Sequence, residues 1–192
     1  MDGSAPASFR DLSTRAREIV SVARRLLEEH GAEALSTRNI AQRIGIRAPA
    51  LYRHFADKHE IELILIEEGL RESGYRTLAA IDGADDPLAA MVFAHRSWAL
   101  EHPHLYRLSF GESLDRSRLD PAAEQHAGMA IFIVTGGDAD VSRAIWAFVH
   151  GMIDLELLDR FPPGSDVDAV WWTGVEALRT RLTPSPPSPA SA

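Results

Sequence analysis

The chain has 192 residues, 45% of them hydrophobic, and sets 20 Lys and Arg against 28 Asp and Glu for a formal net charge of −8. That length suits one or two small domains with a packed core, and the absence of cysteine excludes disulfides and cysteine-bound zinc. No stretch approaches about eighteen uninterrupted apolar residues, and the opening MDGSAPASFRD lacks an apolar run of signal-peptide length, so the sequence predicts a cytoplasmic protein with no membrane span.

Along the chain the apolar spacing is helical throughout, with no alternating runs and no internal repeat, which predicts an all-α fold of about nine helices. A first helix from about Ser13 to His30 carries the stripe Ile19, Val22, Ala23, Leu26 and Leu27 and ends at Gly31. Two short helices about three residues apart follow. Ile40, Ala41 and Ile44 share one side of the first, Gly45 supplies the positive φ that ends it, and Leu51 and Phe55 share one side of the second. A longer helix then runs from Asp57 toward Ile81, the turn IDGADDP breaks it, and another helix spans about Pro87 to His102.

Next, HPHLYRLSFGES reads as a short helix between breaks, and Asp120 with Pro121 opens a helix that reaches Val134 before the turn TGGD. The last two helices, Val141 to Phe161 and Val167 to Leu182, are apolar on more than one side, and PPG separates them. Such width predicts that one face meets the core and another meets a second copy of the chain, in a homodimer built on these two helices. The expected organisation is a flexible arm at 1–12, a helix-turn-helix domain at 13–60, a helical body at 61–182 and a disordered Pro/Ser-rich tail at 183–192.

Charge is unevenly placed. Residues 1–60 hold ten basic and eight acidic side chains, whereas 61–192 hold ten and twenty. Within Ser36 to Lys58 lie Arg38, Arg43, Arg47, Arg53 and Lys58 against the single acid Asp57. A basic patch on an acidic protein points to phosphate contact at one place, and an acidic body keeps the rest of the chain away from a duplex. In a helix-turn-helix the second helix enters the major groove with its N-terminal residues on the base edges, which here are Arg47, Ala48, Pro49 and Ala50. The same spacing also fits an ordinary αα-hairpin with solvated arginines.

The run from Leu35 to Leu63, with TRNIA at Thr37 to Ala41, Gly45-Ile46, LYRHF at Leu51 to Phe55 and then Lys58, resembles the DNA-binding head of TetR-family transcriptional regulators. The resemblance implies that Thr37, beside its cap Ser36, holds a phosphate through its hydroxyl and the helix N–H groups, and that Arg38 meets a base or phosphate. It also implies that Tyr52 and His54 are a phosphate-binding pair and that Lys58 holds the neighbouring phosphate, on a helix capped by Asp57 and Glu60. Arg47 replaces a common serine and Ala50 a common threonine, so the operator sequence does not transfer from relatives.

WAFVHG at Trp146 to Gly151, followed by Glu156, resembles the WHG-type C-terminal domain of some of these regulators. Membership implies a double-stranded palindromic operator, a homodimer and an unknown small-molecule effector, with Phe93, Trp98, Tyr106, Phe110, Phe132, Trp146 and His150 as candidate pocket residues. For any one of these aromatics core packing is the competing reading. The expected action is repression, with the effector shifting the helix from Asp57 to Ile81 and so the spacing of the two heads. A different class, an enzyme or metal protein using His95, His102, His104, His126 or His150, finds little support: no phosphate loop, nucleophile elbow or dinucleotide glycine pattern occurs, and HPH has no second ligand pair. The sequence therefore predicts no catalytic residue, no metal and no cofactor.

Overall fold

The computed structural model describes residues 10–111 and 116–182. Among them there is no strand, and eight α-helices run in the order α1 (Thr14–His30), α2 (Thr37–Ile44), α3 (Lys58–Ile81), α4 (Pro87–Glu101), α5 (Pro103–Phe110), α6 (Pro121–Val134), α7 (Ala139–Leu157) and α8 (Val167–Arg179). A six-residue 3-10 helix, Ala48–Arg53, lies between α2 and α3, and two shorter 3-10 turns occupy Ala32–Ala34 and Arg116–Arg118. Most of the expected arm, part of SFGES and the whole 183–192 tail lie outside the described residues.

The chain's own side chains fix most helix ends. Ser13 Oγ accepts the Ala16 N–H at 3.2 Å to start α1, and Ser36 Oγ accepts the Asn39 N–H at 3.1 Å to start α2. Gly45 closes α2 at φ 77°, with the Ile46 N–H reaching Ala41 O and the Gly45 N–H reaching Gln42 O, a left-handed cap. At α3 the Glu60 N–H donates to Asp57 Oδ1 at 2.8 Å while Glu60 Oε2 accepts the Ala56 N–H at 2.6 Å, a capping-box variant in which the carboxylate reaches the residue before the N-cap.

Three elements differ from the expected boundaries. The second helix of the reading pair is 3-10 rather than α: Pro49 supplies no N–H, disfavours the α conformation at Ala48, and leaves too few residues for α-helical turns. The helix α7 stops at Leu157, short of Phe161, because Asp159 turns left-handed at φ 50° and the Arg160 N–H returns to Leu155 O. An aspartate tolerates that conformation, and so ends the helix before PPG is reached. Finally, α8 gives way to a turn after Arg179.

The chain divides into two compact units, one made of Met1–Arg76 with Ser97–Met129 and the other of Thr77–Arg96 with Ala130–Ala192. In the first, α1 packs on α2 and α5, and α2 packs on the 3-10 helix, around buried Ile19, Leu27, Ile40, Leu51, Ile64, Leu105 and Trp98. A polar junction ties three segments of this unit together. Glu67 of α3, 2% exposed, takes both donors of Arg10 at 2.8 Å and the Asp120 N–H at 3.0 Å, and Arg10 also reaches Arg118 O.

In the second unit α4, α7 and α8 surround Val92, Ile145, Ile153, Trp171 and Val175. Arg96 of α4 meets Glu156 of α7 at 2.9 and 2.6 Å and Asp168 of α8 at 2.6 Å, lies 5.3 Å from the Trp171 ring centre, and shares Glu156 with the Trp171 indole N–H at 3.0 Å. Gly174 lets the Phe148 ring lie against the α8 backbone: a Cβ there would come within 2.0 Å of that ring.

Candidate nucleic-acid interface

The reading pair stands on an apolar floor. Ile40 and Ala41 of α2, Leu51 of the 3-10 helix and Phe55 just after it are at most 3% exposed, so burial of these four sets the angle between the two short helices. Opposite them Arg38, Arg47, Pro49, Tyr52, Arg53 and His54 face solvent, Tyr52 at 56% exposure. Thr37, Ala48, Ala50 and Lys58 are half-buried at the edge of this face. Of the nine residues expected from the sequence, five are exposed, four are half-buried and none is buried.

Its cations fall into two groups. Among the described residues Arg38, Arg47 and Arg53 make no ion pair, which leaves three guanidiniums unneutralised next to the half-exposed start of the 3-10 helix. Arg43 instead pairs with Glu29 at 2.6 Å, and Lys58 pairs with Glu62 at 2.8 Å. Uncompensated positive charge close together in sequence is suited to a polyanion backbone, and exposed guanidiniums can read guanine edges bidentately.

The candidate pocket residues are divided between the two units. In the first unit Trp98 and Tyr106 are fully buried with ring centres 6.4 Å apart, and Tyr106 is 5.1 Å from half-buried Phe110. In the second, Trp146 lies 4.5 Å from His150, and Phe93 lies 4.7 Å from Trp172. Phe132 is 60% exposed against the Gly137 turn. A separate groove of about 510 Å³ in the second unit is lined by Ile81, Leu88, Ile133, Val134 and Leu182 around the Asp86 and Arg179 ion pair, and none of the candidate aromatics borders it.

Sequence reasoning missed the polar residues buried on α3, namely Glu62, Glu67, Arg71, Ser73 and Thr77, and the 4.5 Å contact of Tyr75 with His126. Their signal was available: polar residues recur on every side of a helix too apolar to be a surface one. The histidines are dispersed. His102 lies 3.1 Å from Glu28, His104 borders Gly31, and His95 meets His150 edge-on at 5.4 Å. Among the described residues no three His, Asp or Glu side chains converge as metal ligands would.

Burial pushes the His95 pKa down to about 4, from an ordinary 6.5. Because the depressed value belongs to the folded state, the unfolded chain binds the extra proton between these limits, and stability present above about pH 6.5 is lost as the pH falls toward 4. Urea titrations at pH 7 and pH 4.5 are expected to show this loss, and His95→Leu to show a smaller one; equal acid sensitivity in the two proteins would count against it.

Residues 19–62 match the model of the bacterial regulatory proteins of the tetR family, and residues 88–178 match the tetracyclin repressor-like C-terminal domain. The chain belongs to the TetR family of transcriptional regulators, with a helix-turn-helix head. It is 29% identical over 122 residues to the HTH-type transcriptional regulator Rv1816 of Mycobacterium tuberculosis, covering 61% of this chain and 51% of that one, so it spans about half the length of such curated relatives. The HTH-type transcriptional repressor AcnR of Corynebacterium diphtheriae is 38% identical over 58 residues, 30% of each chain.

Among solved structures, SCO4313, a protein described as regulatory, superposes with a TM-score of 0.71 at 27% identity over 85% of this chain and 94% of that one. A TetR variant from Acinetobacter baumannii AYE, solved in complex with minocycline, shares the fold at a TM-score of 0.60 and 21% identity over 90% of this chain and 95% of that one. No helix among the described residues is long and apolar enough to cross a membrane.

Proposed function

We propose that this chain is a ligand-responsive transcriptional repressor that binds a palindromic operator as a homodimer. The observation that carries the reading is the exposed face of Arg38, Arg47, Tyr52, Arg53 and His54 above the buried Ile40, Leu51 and Phe55. Arg38 and Arg47 take base edges, while Thr37, Tyr52, His54 and Lys58 hold phosphates on either side, and Ala48, Pro49 and Ala50 make the close apolar approach to the groove. Repression needs only tight occupancy of a promoter.

One short reading helix contacts few base pairs, so a two-fold pair is required for specificity. Two exposed stripes support a helical dimer interface. On α7 and its C-cap Leu158, residues Ala144, Ala147, Gly151, Leu155 and Leu158 recur every three or four residues on the side away from Ile145, Val149 and Met152. On α8, Val170, Thr173 and Ala177 do the same. Small residues in such rows let helices approach closely, and Leu155 and Leu158, 43% and 58% exposed, would lose that exposure in a four-helix arrangement.

The effector is a small molecule bound among the aromatics of the C-terminal part, and it acts through α3. It needs to favour one arrangement by only ~1–3 kcal/mol to change operator affinity several-fold to a hundredfold. Selection of bound sequences from random DNA tests the reading. The expected product is a palindrome bound by a particle of twice the 21.1 kDa chain mass. Asymmetric or absent enrichment, or a single-chain mass at micromolar concentration, would refute it.

A further inference from the structure

On a face suited to phosphates, one carboxylate is out of character. Glu62 lies one turn into α3 and is 7% exposed, with Oε1 2.8 Å from Lys58 Nζ and Oε2 2.9 Å from His59 Nδ1. The other paired cation of the segment differs: Glu29 and Arg43 are 42% and 45% exposed at their side chains, and both can turn to solvent or to a new partner. Glu62 is too enclosed to leave. Any phosphate gripped by Lys58 therefore comes within a few ångströms of a fixed negative charge.

Resting on the DNA-binding reading above, we propose that Glu62 determines specificity, as an internal counter-anion that withholds Lys58 from duplexes that do not fit. An ammonium has three donors and can hold Glu62 and a phosphate together only when the phosphate arrives along a direction the carboxylate leaves open. A duplex seated in register delivers a phosphate there. A duplex seated loosely leaves Lys58 on Glu62, so it gains no charge neutralisation from the lysine and still meets the carboxylate. The pair thus weakens non-specific binding more than operator binding, which widens the ratio that matters among competing genomic sites. A role confined to steadying the first turn of α3, where a lysine opposes the helix dipole, would produce no such difference between duplexes.

Glu62→Gln keeps the shape and removes the charge. The wild type and the variant are titrated with the duplex recovered by selection and with a scrambled duplex of equal length and composition, over a range of salt. The variant is expected to bind the scrambled duplex about tenfold more tightly and the selected one at most about twofold more tightly, with a salt slope on the scrambled duplex steeper by about 1 per engaged protomer. In a Lys58→Ala background the same substitution is expected to leave the ratio unchanged, since the carboxylate acts through the lysine. An equal change on both duplexes, or the same gain with and without Lys58, overturns the proposal while leaving DNA binding intact. A wild type that does not prefer the selected duplex overturns both.

Discussion

Tyr52→Phe combined with Lys58→Ala is expected to weaken operator binding about 100- to 1000-fold, or ~3–4 kcal/mol, a larger effect than its cost in stability. Each protomer loses one hydroxyl donor and one cation, and a two-fold dimer loses each twice, so four charge-assisted contacts of roughly 1 kcal/mol are removed together. Tyr52 is 56% exposed above a floor of Leu51 and Phe55, so its change spares the fold, whereas Lys58→Ala leaves the 7%-exposed Glu62 with His59 alone and is expected to cost about 1 kcal/mol of stability. Fluorescence anisotropy with the selected duplex gives the affinity, and thermal denaturation gives the stability. Unchanged affinity would mark the protein as a helical scaffold that does not use this face. An affinity loss no larger than the accompanying loss of stability would make the two side chains structural.

Arg96→Met is expected to destabilise the protein by about 3 kcal/mol, the largest effect foreseen for a single substitution away from the head. Arg96 satisfies Glu156 with two donors and Asp168 with a third, while its guanidinium lies over Trp171. Its removal leaves the Glu156 carboxylate, 18% exposed, with the single Trp171 indole N–H as partner. A partly enclosed anion without its counter-charge costs far more than the pair contributed, so Arg96→Met with Glu156→Leu is expected to recover much of the loss. Urea unfolding followed by tryptophan fluorescence measures both. A single-variant loss below about 1 kcal/mol, or a double variant worse than the sum of its parts, would show that the network is only surface decoration.

The elements whose ends are set by local chemistry were legible in the sequence. Ser13, Ser36, Gly31, Gly45 and the Asp57 and Glu60 box all act where the pattern placed them, because each satisfies orphan N–H or C=O groups within four residues of itself. The reading helix is legible in place but not in kind: the spacing puts Pro49 among the readers, while its missing N–H decides the 3-10 geometry. The early stop of α7 hid in Asp159, a residue that enters the left-handed region too seldom for sequence to announce it. Exposure of the expected reader face followed from the spacing of its buried opposites. The partners of its cations did not, since Glu29 and Glu62 sit outside the motif and only the packed chain shows which acids reach Arg43 and Lys58.

The Glu67 junction sets a limit on treating the head as an interchangeable part. A fragment that begins at Thr14 and ends in α3 beyond Glu67 would discard both Arg10 and the Asp120 amide, leaving Glu67 without these partners in the middle of a helix. A chimera whose graft includes α3 as far as Glu67 would need to bring along Arg10 and the backbone around Arg118 and Asp120 as well. A portable piece that keeps Glu67 paired is therefore discontinuous in sequence.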